Sequence, residues 1–308
     1  MRMTQLKTIA DIQTGPFGSQ LHKEDYVETG TPIVTVEHLG NRVFTEQNLP
    51  RVSDSDKARL IKYTLSTGDI VFSRVGSVDR CSYVDKSHDG WMFSGRCLRV
   101  RPTELVDSLY LYYYFCLEET KQFVRNIAVG ATMPSINTKL LGEVEIALPD
   151  LNNQKRIAAV LSSLDDKIEN NQKLNDNLYE IVNAYYTSLF KDVECEMTTI
   201  GNYAERIYSG GTPTTSNAAY WDGTFGWFSS GETRNRFVIS TEKSITQTGI
   251  DNSSTKLASK HDIVMASAGQ GFTRGQTSML LIDTYVNQSV IVIHADRNLS
   301  LIHISEPT

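Results

Sequence analysis

The sequence is poor in the patterns that build metal and redox sites. None of its six histidines stands in an H-E-x-x-H motif, which would place two ligands on one helical face. The cysteines include no C-x-x-C pair, which argues against a zinc knuckle or a dithiol redox motif. They are Cys81, Cys97, Cys116 and Cys195. We therefore expect no metal site in this chain.

Long apolar runs are also lacking. No stretch approaches the roughly 20 apolar residues that a membrane-spanning helix needs. The first residues, MRMTQLKTIADIQ, lack the apolar core of a signal peptide. We expect a soluble, cytoplasmic chain without membrane contact. Its 308 residues, 40% of them hydrophobic, suffice for two domains with separate cores.

The charge balance is slightly acidic, with a formal net charge of -6. This argues against a protein that coats nucleic acid through bulk positive charge, because phosphate contacts need locally dense Lys and Arg. Basic residues nevertheless gather between Arg74 and Arg101, where they alternate with carboxylates such as Asp79 and Asp89. A local basic face is therefore compatible with the composition.

Two parts of the chain repeat each other. TI leads to GPFG at residues 15–18, and a later TI leads to GGTP at residues 210–213. GDIVFS at residues 68–73 is echoed by HDIVMA at residues 261–266. The nearly constant offset indicates one duplication, and short β-branched runs within each half predict strands. These runs are residues 33–36, 69–73, 97–100, 262–265 and 289–293.

A long helix is predicted between the two halves. Residues 151–190 contain neither Pro nor Gly, and Asp150 or Asn152 can cap their start. At about 1.5 Å per residue this helix would be about 55 to 60 Å long. Its apolar seam must be covered by another helix, from this chain, a second copy or a partner. The predicted helix-packing seam is Leu161, Leu164, Ile168, Leu178, Val182, Tyr185 and Leu189.

A second helix is predicted in the first half, from a cap at Asp107 or Ser108 to about Arg125. It carries the run LYLYYYF at residues 109–115. Exposed tyrosines there could stack on unpaired bases. Consecutive aromatics that point all round a helix are also typical of a helix packed between a sheet and another element.

Several short motifs follow one another along residues 1 to about 298. They are GPFGS at residues 15–19, GATMPSIN at 130–137, ALPDLNNQKRI at 147–157, GGTP at 210–213, YWDG at 220–223 and Trp227. Their order resembles that in specificity subunits of type I restriction-modification systems. GPFGS, which we call the opening motif, resembles a domain opening of that family, as does GGTP followed by YWDG and Trp227. GATMPSIN, which we call the closing motif, resembles the domain close, and ALPDLNNQKRI resembles the start of the spacer helix.

The resemblance implies an α+β fold, with two similar β-rich α/β target recognition domains joined by a long coiled-coil-type helix. We expect the first recognition domain at residues 1–148, the spacer helix at 149–192 and the second domain at 193–298. Each domain would read one half of a bipartite site on double-stranded DNA. The helices would set the distance between the halves and dock methyltransferase subunits, to which restriction subunits attach.

The same resemblance assigns catalysis to those partner subunits. S-adenosylmethionine, ATP and Mg would be bound by them, so that this chain would be a non-catalytic subunit without a cofactor of its own. Bases would be read by Arg, Lys, Asn and Gln side chains. Charge and loop position suggest candidates, although each alone could be a solvated surface side chain. The DNA-binding candidates are Arg74, Arg80, Arg96, Arg234, Gln270 and Arg274.

The second half ends early relative to the first. When the halves are aligned on GDIVFS and HDIVMA, residues 290–294 correspond to residues 97–101. No later segment matches the tyrosine-rich helix, the domain close or a second spacer helix. We expect the second domain to be incomplete and the chain to self-associate or to be insoluble. Residues 299–308, LSLIHISEPT, look like a translated transposon-end adapter, so we expect a non-native tail.

Other functions stay open at this point. PD at residues 149–150 and DDK at 165–167 formally match a nuclease pattern, but residues two apart in a helix diverge by about 200°, whereas that chemistry needs one strand face. A self-contained methyltransferase would need an N-P-P-Y or D-P-P-Y motif, which the sequence lacks. A dimerising scaffold with ligand-binding β domains would explain the helix and the repeat but not the motif order.

Overall fold

The computed structural model describes residues 2–295, except 17, 19, 192, 194–197 and 269–272. The chain divides into two compact units, with the boundary between Leu189 and Phe190. We call these units 1 and 2. The candidate Gln270 and the tail at residues 299–308 lie outside the described residues. The domain boundaries expected from the sequence stay predictions.

Unit 1 is built around an antiparallel sheet with the strand order β2-β9-β6-β7. A smaller sheet has the order β3-β5-β4-β8, and β1 pairs with β10. The strands are β1 (Arg2–Gln5), β2 (Ala10–Thr14), β3 (Tyr26–Val27), β4 (Thr31–Val34), β5 (Arg51–Val52), β6 (Ile70–Ser73), β7 (Cys81–Tyr83), β8 (Met92–Phe93), β9 (Cys97–Pro102) and β10 (Glu145–Leu148). The helices are α1 (Asp54–Arg59), α2 (Ser108–Cys116), α3 (Glu118–Ile127), α4 (Thr138–Gly142) and α5 (Leu151–Phe190).

Helix α2 covers one face of the main sheet. Its cap is Asp107, whose Oδ1 accepts the backbone N–H of Tyr110 at 2.9 Å. Tyr110, Tyr112 and Phe115 are buried. The Phe115 ring meets Phe72 of β6 edge to face, with centroids 4.7 Å apart. The packing interpretation of the aromatic run is thus confirmed, since these buried rings cannot stack on bases.

The single helix predicted to run on to about Arg125 is wrong, because the chain leaves the helical conformation at Leu117 (φ -62°, ψ 134°). A new helix, α3, begins at once. The Leu117 carbonyl accepts the N–H of Lys121 at 3.0 Å. Glu118 and Glu119 occupy the first turn of α3, where carboxylates are favoured by the positive end of the helix dipole.

Unit 2 repeats the main sheet in the order β11-β19-β16-β17, with β13 added at the edge. The parallel pair β4–β8 of unit 1 is likewise matched by the parallel pair β12–β18. The strands are β11 (Ala204–Ser209), β12 (Trp221–Phe228), β13 (Phe237–Val238), β14 (Lys243–Ile245), β15 (Lys256–Ala258), β16 (Ile263–Ala266), β17 (Thr277–Leu280), β18 (Thr284–Val286) and β19 (Val290–Ala295), and the helix is α6 (Gln247–Asp251). The shared topology confirms the repeat.

A buried carboxylate holds the same corner of both sheets. Asp69 is 1% exposed, accepts the N–H of Ser66 at 2.8 Å and pairs with Arg101 at 2.7 Å. Asp262 is 3% exposed and accepts the N–H of Ser259 at 2.8 Å. Its basic partner is His294, at 2.5 Å. The similar segments GDIVFS and HDIVMA therefore each contain a buried aspartate with a structural role.

The two main sheets differ in how well one face is covered. In unit 1 the α2-facing side chains are at most 1% exposed; they are Ile70, Phe72, Leu98 and Val100. The equivalent side chains in unit 2 are only half-buried; they are Ile263, Met265, Ile291 and Ile293. The position equivalent to α2 lies outside the described residues.

Helix α5 coincides with the helix predicted at residues 151–190. The Asp150 Oδ1 caps it by accepting the N–H of Asn153 at 3.0 Å. Gln154 and Ala158 are its buried residues, and the seven predicted seam residues are exposed. Among the described residues, no helix combines the length and apolar character required to cross a membrane.

Replacing Phe115 tests whether α2 is a core element. We expect Phe115→Ala to lower the free energy of unfolding by about 3 to 5 kcal/mol, because it removes a fully buried ring. The matched control is Phe123→Ala on α3, where the ring is 43% exposed and the loss should stay below about 1 kcal/mol. Urea unfolding of both variants measures the difference, and equal losses would contradict the packing of α2.

Candidate nucleic-acid interface

Loops that are distant in sequence meet at one end of the main sheet of unit 1. The Gly15 N–H donates to the carbonyl of Cys97 at 3.2 Å. A Cβ atom at Gly15 would lie 2.1 Å from the Ser94 carbonyl oxygen, so only glycine allows this approach. The opening motif is thereby held against the turn that precedes β9.

The loop after β6 lies beside the same turn. The Arg74 N–H donates to the carbonyl of Arg96 at 2.8 Å, and the Arg74 carbonyl accepts the N–H of Ile136 at 2.9 Å. Gly76 donates to the carbonyl of Pro134 at 2.8 Å. The closing motif at residues 130–137 therefore joins the opening motif at this end of the sheet.

The closing motif forms a tied loop. Val129 and Ser135 exchange backbone hydrogen bonds of 2.9 and 2.8 Å. Between them Gly130 has φ +112°, a conformation that favours glycine. The loop presents Met133, which is 64% exposed, at the surface. An apolar side chain held out in this way is available to a binding partner.

An open cleft of about 510 Å³ lies beside the opening motif and the turn that precedes β9. Its lining includes Pro16, Gly18, Tyr26, Thr35, Glu37 and Arg96. We call this space the reading cleft. It presents a guanidinium, hydroxyls and a carboxylate, which are the donors and acceptors that polar base edges require.

One border of the reading cleft is a capped turn that recurs in unit 2. In unit 1 the Thr35 N–H donates to Nδ1 of His38 at 3.0 Å. In unit 2 the Ser229 N–H donates to Oε1 of Glu232 at 2.9 Å. Sequence reasoning missed both, although Ser229 and Glu232 stand at capping-box spacing, which was a usable signal.

The candidate arginines of unit 1 differ in how far they are neutralised. Arg80 and Arg96 are exposed, and neither has an ion pair within the described ranges. A Cβ at Gly40 would lie 3.3 Å from Nε of Arg80, so that side chain rests against the Gly40 backbone. Arg74 is half-buried and its Nη1 donates to the Gly95 carbonyl at 3.1 Å, so part of its guanidinium is engaged in the fold.

The candidates in unit 2 are placed differently. Arg234 pairs with Glu242 and donates to the Gly231 carbonyl at 2.8 Å, so its charge is largely compensated. Arg274 is exposed at the border of the undescribed segment that contains Gln270. The structure thus offers Arg274 as the available cation of this set in unit 2.

Serines replace two of the unit 1 arginines in the repeat. The Ser267 N–H donates to the carbonyl of Ser289 at 2.9 Å, which is the same backbone pairing as that between Arg74 and Arg96. The two units therefore hold different side chains on one backbone arrangement. That is the expected pattern if each unit reads a different half-site.

The acids of the formal nuclease pattern are engaged by the fold. Asp165 accepts the hydroxyl of Tyr113 at 2.8 Å, and Asp166 pairs with Arg42 at 2.5 Å. Both carboxylates lie on α5, not on a strand. In the part of the chain that is described, no group of three or more His, Cys, Asp or Glu could hold a metal ion.

Comparisons with known proteins point to one family. The family model described as type I restriction modification DNA specificity domain matches residues 1–180. The MjaIX specificity subunit of Methanocaldococcus jannaschii is 39% identical over 93 residues, covering 30% of this chain and 22% of that protein. The HindI specificity subunit of Haemophilus influenzae is 28% identical over 137 residues, covering 43% and 30%. The chain thus spans less than a third of the length of these two relatives.

A solved structure supports the fold. The S subunit of a type I restriction-modification system from M. genitalium superposes with a TM-score of 0.57 at 17% identity. The match covers 96% of this chain and 73% of that one. The predicted α+β architecture, with two recognition domains and a long helix, is confirmed. Because the family model covers more than half of its length, the chain belongs to the type I restriction modification DNA specificity domain family, whose members are non-catalytic specificity subunits.

Proposed function

We propose that this chain reads a bipartite site on double-stranded DNA within a type I restriction-modification complex. The observation that carries the proposal is the repeat of one sheet topology on either side of a 40-residue helix in the sequence. Two reading units joined by a stiff helix convert two modest half-site affinities into one strong binding event. That event is also selective for the distance between the half-sites.

The reading cleft of unit 1 is the proposed contact with one half-site. Arg96, which lines the cleft, and Arg80, which lies outside its lining, form no ion pair with a carboxylate of the described residues. Arginines in this state can bind guanine edges or phosphates. The formal net charge of -6 fits a subunit that contacts DNA locally while partner subunits supply further basic surface.

The exposed seam of α5 is the proposed dock for another helix, contributed by the methyltransferase subunits or by a second specificity domain. Its apolar residues lie on one side of the helix and are 36% to 64% exposed. Restriction subunits would attach through the methyltransferase. S-adenosylmethionine, ATP and Mg would be bound by those partners, and the complex would act in the cytoplasm, where the DNA is.

Deletion of the gene tests the proposed function directly. We expect one bipartite methylated motif to disappear from the methylome of the source organism, because each unit supplies one half of the recognition. Sequencing of modified bases with and without the gene is the measurement. A plasmid-borne copy should restore the same motif, and an unchanged methylome would contradict the proposal.

Substitution of Arg96 tests the reading cleft. We expect Arg96→Ala to weaken binding of a duplex that carries the motif by about 1 to 3 kcal/mol if the side chain reads a base. If Arg96 instead binds a phosphate, the slope of log K against log salt should fall by about 0.9. Fluorescence anisotropy of the assembled complex with labelled duplex measures both effects.

The matched control is Arg59→Ala, which removes an exposed arginine that already pairs with Asp56 at 2.8 Å. It should leave both the affinity and the salt slope unchanged. If Arg96→Ala behaved like this control, Arg96 would be excluded as a DNA contact.

A charge placed on the seam tests docking. We expect Val182→Glu to abolish co-purification of the methyltransferase subunit and to reduce self-association of the isolated chain, because it buries a carboxylate among apolar side chains. Thr187→Glu is the control, since it adds the same charge on the opposite side of α5. Pull-down and light scattering give the readouts. Equal behaviour of the two variants would argue against the seam.

A further inference from the structure

Helix α5 is attached to unit 1 at two places. The first is its start, where the buried Gln154 accepts the N–H of Asp107 at 2.8 Å and donates to the Pro149 carbonyl at 2.9 Å. Ala158, one turn later, belongs to the core beneath α2. This attachment fixes where the helix begins. It does not by itself fix where the helix points.

The second attachment lies further along α5 and centres on one arginine. Arg42 pairs through Nη2 with Asp166 at 2.5 Å and with Glu169 at 3.2 Å. Its Nη1 donates to the Ser162 carbonyl at 3.3 Å. One guanidinium therefore holds two successive turns of the helix, and its side chain is only 22% exposed.

Tyr113 of α2 reinforces this contact. Its hydroxyl donates to Oδ2 of Asp165 at 2.8 Å. Burial and this hydrogen bond raise the pKa of Tyr113, so the hydroxyl keeps its proton at neutral pH. Helices α2 and α5 are thereby linked by a hydrogen bond between polar side chains.

Arg42 is itself anchored to the main sheet. Its carbonyl accepts the N–H of Tyr83 in β7 at 2.7 Å, and the neighbouring Asn41 carbonyl accepts the Ser82 hydroxyl at 2.7 Å. The Arg80 side chain rests against Gly40, which lies two residues before Arg42. A short loop thus connects a candidate DNA contact to the spacer helix.

The geometry points to Arg42 as a positioning residue: together with Asp166 and Glu169 it fixes the direction of α5 against unit 1 and so restricts the spacer length that the protein accepts. Gln154 and Glu169 are about 22 Å apart along the helix, and two fixed points at that distance define a direction. Asp166 and Glu169 lie on the side of α5 opposite the seam, so this contact leaves the seam free for docking.

The inference rests on the proposed function and is tested in cells that carry the native methyltransferase genes. The wild-type chain should yield one bipartite motif with one spacer length. We expect Arg42→Ala to leave both half-site sequences unchanged but to extend methylation to spacers one base pair longer and shorter. Such a shift changes the separation by only about 3.4 Å, which a loosened helix can absorb.

Two further variants keep the test decisive. Asp166→Ala with Glu169→Ala removes both carboxylates that pair with Arg42 from the helix side, where both side chains are solvent-accessible, and should broaden the spacing in the same way. Arg125→Ala is the control, because Arg125 pairs with Asp79 and Glu118 inside unit 1. It should keep the single native spacing.

The outcomes separate the two claims. A single native spacing in the Asp166→Ala, Glu169→Ala double variant would overturn the role of Arg42, whatever Arg42→Ala itself does. Broadened spacing in Arg125→Ala would overturn it as well, since any loosening of unit 1 would then suffice. A wild-type methylome without a motif that depends on this gene would instead refute the proposed function.

Discussion

In the proposed function helix α5 has to keep a fixed direction, although it buries almost none of its side chains. Apart from Gln154 and Ala158 its surface is open to solvent or half-exposed. Hydrophobic packing, which orients most helices in globular proteins, is therefore a small part of its attachment to unit 1. Hydrogen bonds and ion pairs with defined geometry have to take over that function. Each is modest in free energy, but several on one rigid element restrict its orientation together.

The repeat shows which parts of a unit are framework. Asp69 and Asp262 occupy equivalent corners and make the same backbone contact. The capped turns at Thr35 and Ser229 recur as well, whereas side chains on the loops change. A unit built in this way can change its loop side chains without changing its fold, because the loop residues carry little of the core.

Much of the fold could be predicted from the sequence because it rests on local patterns. The absence of Pro and Gly from residues 151–190 gave the extent of α5, and β-branched runs gave the main strands. The break at Leu117 was not predictable, because the residues around it favour a continuous helix. Burial of the tyrosines likewise depends on what faces α2.

The site was predictable only in outline. Motifs identified the loops, but their meeting at one end of the main sheet follows from strand order. Charge alone could not separate Arg80 and Arg96 from Arg234, since the difference lies in a carboxylate, Glu242, that pairs with Arg234. Arg42 gave no signal at all, because its partners Asp166 and Glu169 are more than a hundred residues away in sequence.

The length of α5 beyond its last anchor makes it a lever. From Glu169 to Phe190 the helix continues for about 31 Å. A tilt of about 5° at the anchor would displace its end by about 3 Å, close to the rise of one base pair. If the chain reads a bipartite site as proposed, the angular precision at a single guanidinium sets the resolution with which it measures distance along a duplex.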